Sequence, residues 1–313
     1  MLKLGRLAFF TIFLTYLLIV FGGYVASSES GMGCGPEWPL CNGSVIPILQ
    51  GDTLIEFAHR VIGAILGIMA ILLFVKIIRS YANTIIRSVA WGMLFLLTVQ
   101  ILLGAVVVVL DLPAIIVTGH LLVAMVFLAS LIWLWRSISV KESKGKIRTI
   151  SINIEKRKQI ISHLNNLLVL LLLTLVVGAY IKHESYGLAC GWLTCGESLI
   201  PNTFPGILQT IHRVLAVIST IYLLLITFWA FSKRWGVAVQ NRLLLTSLVV
   251  LMQLLIGVFT VISILDVSWA VLHLAIGTAL FAFVFEARAF AGIQMPLTRR
   301  PKVSMNEKNK SLM

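Results

Sequence analysis

The sequence predicts an all-α integral membrane protein with eight transmembrane helices, built as two tandem four-helix bundles related by a parallel repeat. Three observations lead there. Of the 313 residues, 59% are hydrophobic and only 12% charged, with a mean hydropathy of +1.00, whereas soluble domains are about a quarter charged. Eight stretches reach the roughly 20 residues a helix needs to cross the hydrocarbon layer. Rare polar residues also recur at one offset: His59 and His212, His120 and His273, Gln100 and Gln253, Arg60 and Arg213, with Gly104 and Gly257, each lie 153 residues apart. Such agreement in an apolar chain points to a duplication.

The spans are read at 7–26, 54–78, 84–110, 113–135, 160–182, 207–231, 239–263 and 267–290. The first is too long for the apolar part of a cleaved signal peptide and enters the repeat as helix one. Residues 1–135 form the first half and 160–293 the second, joined by a basic linker at 136–159 and followed by a basic tail at 294–313. Four spans per half, an even number, keep both halves in the same orientation.

Orientation follows from Lys and Arg in short loops. One side carries Lys3, Arg6, Lys76, Arg79, Arg87, the linker, Lys233, Arg234, Arg242 and the tail. The other carries Glu29, Glu37, Asp52, Asp111, Glu184, Glu197 and Asp266. A plasma-membrane protein with both termini cytoplasmic is expected, and its membrane partner is lipid. The net charge of +13 is then a matter of topology. No basic patch interleaved with aromatics and no Gly-rich phosphate loop supports a nucleic-acid or nucleotide partner.

The four recurring histidines lie five to seven residues inside the outer ends of spans two, four, six and eight, roughly 8–10 Å below the outer surface at 1.5 Å per residue. A lone membrane histidine reads as a hydrogen bond to a neighbouring helix. Four at one depth, two per half, read as ligands, because buried polar groups in lipid mark function. Zinc would want further ligands, and no Cys, Asp or second His sits one turn from any of them. One imidazole from each of two facing helices suits a haem iron. The reading is two haem sites, His59 with His120 and His212 with His273, with Gly63, Gly67, Gly104, Gly119, Gly257 and Gly277 leaving room for a flat macrocycle. Arg60 and Arg213 either snorkel to headgroups or pair with a haem propionate.

Two loops face outward, 27–53 and 183–206. Each carries a close cysteine pair, Cys34 with Cys41 and Cys190 with Cys195, where oxidising conditions let disulfides persist. A metal site built from all four thiolates is the alternative, and the expected distance between the loops argues against it. The first disulfide is either structural or redox-active. His163 and His183 have no counterpart at the repeat offset and read as interfacial.

With these residues placed, the chain resembles the haem A synthase family, of the bacterial eight-helix type. The likeness covers nearly the whole chain and rests on Glu56-Phe57-Ala58-His59-Arg60, His120, Gln209 to Arg213, His273 and the Gly-Cys…Trp-Pro-Leu-Cys loop at 33–41; the second cysteine loop is less typical and slightly short. The resemblance implies an oxidoreductase that oxidises a ring methyl of haem O to a formyl group in two steps, through an alcohol. It implies a resident haem B on His212 and His273, haem O as substrate on His59 and His120, and a part for Glu56 in activity. A haem O synthase upstream and cytochrome oxidase assembly factors downstream are implied as partners, with an unidentified electron acceptor or donor.

The residues agree on which half reacts. Oxidising a methyl removes electrons and protons, so a base or anion near the carbon helps. Glu56 lies three residues before His59 and so on roughly the same helix face. Its repeat counterpart is Gln209, which neither takes a proton nor carries charge. Glu56 is therefore the candidate catalytic residue; the alternative for it is a carboxylate bonded to a loop. Two other functions compete, a two-haem membrane cytochrome relaying electrons from a quinol, and a haem transporter or chaperone for oxidase assembly. Neither needs the Glu56/Gln209 asymmetry.

Overall fold

The computed structural model of the chain describes residues 3–142, 154–191, 194–195 and 201–293. Eight long helices account for most of these: α1 (Leu4–Ser27), α2 (Gly51–Ser80), α3 (Thr84–Val109), α4 (Ala114–Glu142), α5 (Ile154–His183), α6 (Phe204–Ser232), α7 (Val237–Ile262) and α8 (Val267–Ile293). All eight are long and apolar enough to cross a membrane. Within the bilayer a helix satisfies its own backbone polar groups, so unbroken apolar runs become unbroken helices.

Several helices outrun the apolar stretches. α4 continues through 136–142 and α5 starts at Ile154, so both enter the segment read as linker. The polar ends of these helices find partners. The Glu142 carboxylate accepts from the Gly5 backbone N–H at 3.3 Å at the start of α1, and Arg157 donates to the Ala291 carbonyl at 3.1 Å. The tail at 294–313 and residues 143–153 of the linker lie outside the described residues.

The helices form two rings. In the first, α1 packs on α2, α2 on α3, α3 on α4 and α4 back on α1; in the second, α5 to α8 repeat that order. The rings meet where α8 packs on α1 and α4, and where α4 packs on α5. α4 is the most enclosed helix, with 44% of its apolar window inside the protein against 22–33% for the others. Its buried residues run all round its surface, Ala124, Met125, Phe127, Leu128, Leu131 and Leu134 among them, the pattern of a helix without a free face. Elsewhere large apolar side chains point outward, such as Phe95, Phe228 and Leu248, where lipid would meet them. Away from the cysteine loops, Arg136 of α4 and Arg242 of α7 both pair with Glu286 of α8, at 3.2 and 2.8 Å, tying the rings together.

The connections at the loop end recur between halves. A short 3-10 turn follows α1 at Ser30–Met32 and α5 at Tyr186–Leu188. The turns after α3 and α7 both take two successive left-handed residues, Asp111-Leu112 and Ile264-Leu265. Gly31 sits against Leu112, and Gly187 against Leu265, so closely that a Cβ would collide or crowd. All four connections therefore gather over one end of the bundle.

Candidate functional site

Each of the four histidines faces a glycine on a neighbouring helix. A Cβ added to Gly22 of α1 would stand 3.1 Å from the His59 ring, and one on Gly104 of α3 3.2 Å from His120. In the second ring the same relation joins Gly178 of α5 to His212 at 2.6 Å and Gly257 of α7 to His273 at 2.9 Å. A side chain at any of these positions would push an imidazole aside. Gly104 and Gly257 were anticipated as space-making residues, but Gly22 and Gly178 were not. Of the other anticipated glycines, Gly277 lines the second-half cavity beside Gln253, Gly63 lies in ordinary contact with Leu18, and Gly67 and Gly119 border open space.

His212 and His273 face each other with ring centres 6.4 Å apart. Two imidazoles on opposite sides of one metal, each nitrogen about 2 Å from it, have ring centres about 6 Å apart. His212 Nδ1 lies 2.9 Å from the Thr174 carbonyl oxygen. That bond takes the Nδ1 proton and leaves the Nε2 lone pair for a metal, the usual way a ligand histidine is oriented. Around both rings is a cavity of about 480 Å³, largely apolar, within the roughly 300–1,000 Å³ of ligand and cofactor sites. The spacing, the tautomer and the cavity fit a flat iron macrocycle. No cluster of three or more His, Cys, Asp or Glu suited to a bare metal ion occurs among the described residues.

The first-half pair lies on α2 and α4. Phe21 of α1 packs on the His59 ring, with ring centres 5.9 Å apart. The two sites share a wall. Gly22 faces His59 while Gly23 packs on Leu274, next to His273; Leu121, which follows His120, lines the second-half cavity.

Above each site a disulfide loop is pinned to the histidine helix. Cys34 pairs with Cys41 and Cys190 with Cys195, leaving no free thiol for a four-cysteine metal site. Glu56, 4% exposed, accepts the Cys34 backbone N–H on Oε2 at 2.7 Å. Gln209, equally buried, accepts the Cys190 N–H on Oε1 at 2.6 Å. The two side chains thus make the same bond in their two halves, and they differ in the second amide or carboxylate atom. Gln209 Nε2 donates to the Gly187 carbonyl at 2.7 Å, a contact that demands a donor. Glu56 Oε1 instead accepts from Arg60, whose Nε is at 3.0 Å.

The arginines are drawn to these loops. Arg60 Nη1 also donates to the Leu40 carbonyl at 2.8 Å, so its guanidinium spans Glu56 and the loop. Arg213 donates to the Gly191 carbonyl at 2.7 Å and borders the second-half cavity together with Lys182 and His183. His183, expected at the interface, is part of that cavity wall. His163 bonds the Tyr222 hydroxyl at 2.9 Å and packs between Trp229 and Trp235, remote from the four-histidine layer.

Residues 5–53 and 49–285 match the family described as cytochrome oxidase assembly protein. Among curated relatives, the haem A synthase of Exiguobacterium sibiricum is 30% identical, the match spanning 73% of this chain and 76% of the relative. That of an Exiguobacterium species, strain AT1b, is 28% identical over 82% of this chain and 84% of the relative. That of Bacillus licheniformis is 29% identical over 88% and 91%.

Proposed function

This chain belongs to the cytochrome oxidase assembly protein family, and from that premise we propose that it is a haem A synthase, a multi-pass membrane oxidoreductase that converts a ring methyl of haem O to a formyl group through an alcohol. The observation that carries the reading is the pair of imidazoles facing each other across the second-half cavity, 6.4 Å apart.

The halves divide the labour. His212 and His273 hold a resident haem B, and His59 with His120 receive haem O as substrate. When bound, haem B supplies a one-electron redox couple beside the reacting half. Thr174 keeps His212 in the tautomer that ligates, and Gly178 and Gly257 keep the helices close without displacing either ring. Arg213, with Lys182 and His183 on the same cavity wall, is the basic group placed to meet propionates there. Arg60 serves its own half differently, as counter-ion to Glu56 and tether of the Leu40 backbone.

Glu56 has two roles in this reading. Its carboxylate pins the Cys34–Cys41 loop over the substrate half, which excludes water. It also brings a carboxylate, ion-paired with Arg60, one helical turn from His59, on the side where the carbon is oxidised. Gln209 performs the first role in its half and lacks the second. The two rings, 1–135 and 160–293, are copies of one ancestral unit by this account. The cysteine loops face outward and the basic ends inward.

Expression in a host that makes haem O but no haem A, followed by extraction and chromatography of the pigments, tests the proposal. Haem A is the expected product. A folded, haem-loaded protein that leaves haem O unchanged would favour an electron-relaying cytochrome or a haem carrier and overturn it.

A further inference from the structure

Gln100 of α3 and Gln253 of α7 each reach the second histidine of their half, and the reaction proposed above gives neither of them a task. Gln100 Nε2 lies 3.1 Å from His120 Nε2, and Gln253 Nε2 lies 3.4 Å from His273 Nε2. The first distance is that of an ordinary hydrogen bond; the second is beyond the usual 2.7–3.2 Å or so. An amide nitrogen is only a donor and a neutral imidazole has one lone pair, so the amide N–H points at the lone pair of Nε2. The other polar atoms of both dyads, Nδ1 of each histidine and Oε1 of each glutamine, are buried and have no hydrogen-bond partner. His120 is thus held through Nε2 alone. His212 is held the other way, through Nδ1, with Nε2 left open.

We propose that Gln100 is a positioning residue that occupies the iron-binding nitrogen of His120 while the substrate site is empty, and that haem O must displace it, so the amide competes with iron and keeps the first site exchangeable. The inference rests on the two-haem reading above. A ligand whose free nitrogen is fixed by a carbonyl on the opposite nitrogen loses nothing when iron arrives. One whose lone pair is already bonded gives up that bond first. A hydrogen bond of this kind contributes a net factor of about 2 to 10 in an equilibrium constant. A synthase needs this asymmetry, because its substrate site must release product while its resident cofactor stays. Gln253 makes the same approach to His273 Nε2 at 3.4 Å, but the partner imidazole of that half, His212, is fixed through Nδ1 with Nε2 open.

Full-length protein in lipid nanodiscs, as wild type, Gln100→Leu and Gln253→Leu, separates these roles. The second-half site is filled with haem B first. Haem is then titrated into the first half, and its transfer to apomyoglobin is followed by absorbance. Gln100→Leu is expected to bind the exchangeable haem about 2- to 10-fold more tightly and release it correspondingly more slowly, with a bis-imidazole spectrum retained. Gln253→Leu is expected to change the resident haem's retention less. Should Gln100→Leu not fold, Gln100→Asn withdraws the amide by one methylene and shifts affinity the same way. Unchanged or weaker haem binding in the folded variant would overturn the inference, since a purely structural glutamine weakens the site when removed. A wild-type protein with no second, exchangeable haem would instead overturn the two-haem reading and this inference with it.

Discussion

Glu56→Gln separates the charge of this residue from its shape, and the protein already contains the control. Gln209 accepts the Cys190 N–H at 2.6 Å just as Glu56 accepts the Cys34 N–H at 2.7 Å, so an amide at position 56 is expected to keep the loop pinned. The loss falls on Arg60, whose Nε and Nη2 both bond Glu56 Oε1. An amide whose oxygen holds the Cys34 N–H turns its nitrogen, which is only a donor, toward these two donors, so the charge-assisted contact with Arg60 is lost, at a cost of about 1.5–3 kcal/mol. Arg60 keeps the Leu40 carbonyl. Glu56→Ala, by contrast, strands the buried Cys34 N–H and the guanidinium, at a cost of about 3–5 kcal/mol, and is the wrong variant for asking about chemistry. An anion preorganised beside a reacting centre contributes on the order of 10²–10³ in rate. Glu56→Gln is therefore expected to retain both haems and the Cys34–Cys41 disulfide while forming the formyl group at least about 100-fold more slowly. Haem content by pyridine haemochrome, thiol titration and pigment chromatography read the three quantities. Haem A at the wild-type level would refute a role for the charge, and a free Cys34–Cys41 thiol pair would refute the pinning argument.

The remaining expectations concern the second ring. His212→Ala and His273→Ala each remove one of the facing imidazoles and are expected to abolish the low-spin spectrum of the resident haem; an unchanged spectrum in both would reverse the assignment of the halves. Gly178→Ala places a methyl 2.6 Å from the His212 ring, so the imidazole must swing from the Thr174 carbonyl. Overpacking of this kind costs about 1–3 kcal/mol, read as a lower Tm and a shifted haem spectrum, whereas Gly67→Ala, which borders open space, is expected to change neither.

The helices and the four histidines were legible in the sequence for one physical reason: lipid makes polar residues rare, so each that remains carries information. What could not be read was which helix each imidazole would face. Gly22 and Gly178 were missed because they lie 156 residues apart, as do Cys34 and Cys190, whereas the histidines lie 153 apart. The first loop holds three more residues between its first cysteine and the carboxylate of α2 than the second holds before Gln209, so no single offset aligns both sides of it. The helix ends were underestimated because apolar runs stop where lipid does, while α4 and α5 continue as helix beyond them, α4 with Ser137 and Ile138 still buried. Gln100 and Gln253 were visible as a recurring pair, but nothing in their spacing revealed that they touch the histidines. For Glu56, spacing placed it near His59 and left a loop-bonded carboxylate as the alternative; the structure shows that bond, to the Cys34 N–H, and adds the Arg60 partner that spacing did not reveal.

Neighbours in sequence face different ways in this protein: Gly22 adjoins His59 while Gly23 lines the second-half cavity, and Leu121, next to His120, lines that cavity too. A residue inserted into α1 upstream of that pair would rotate everything beyond it by about 100° and spoil both pockets at once. The second-half cavity borrows part of its wall from α1 and α4 of the other ring, which gives a physical reason for the two rings to travel as one polypeptide.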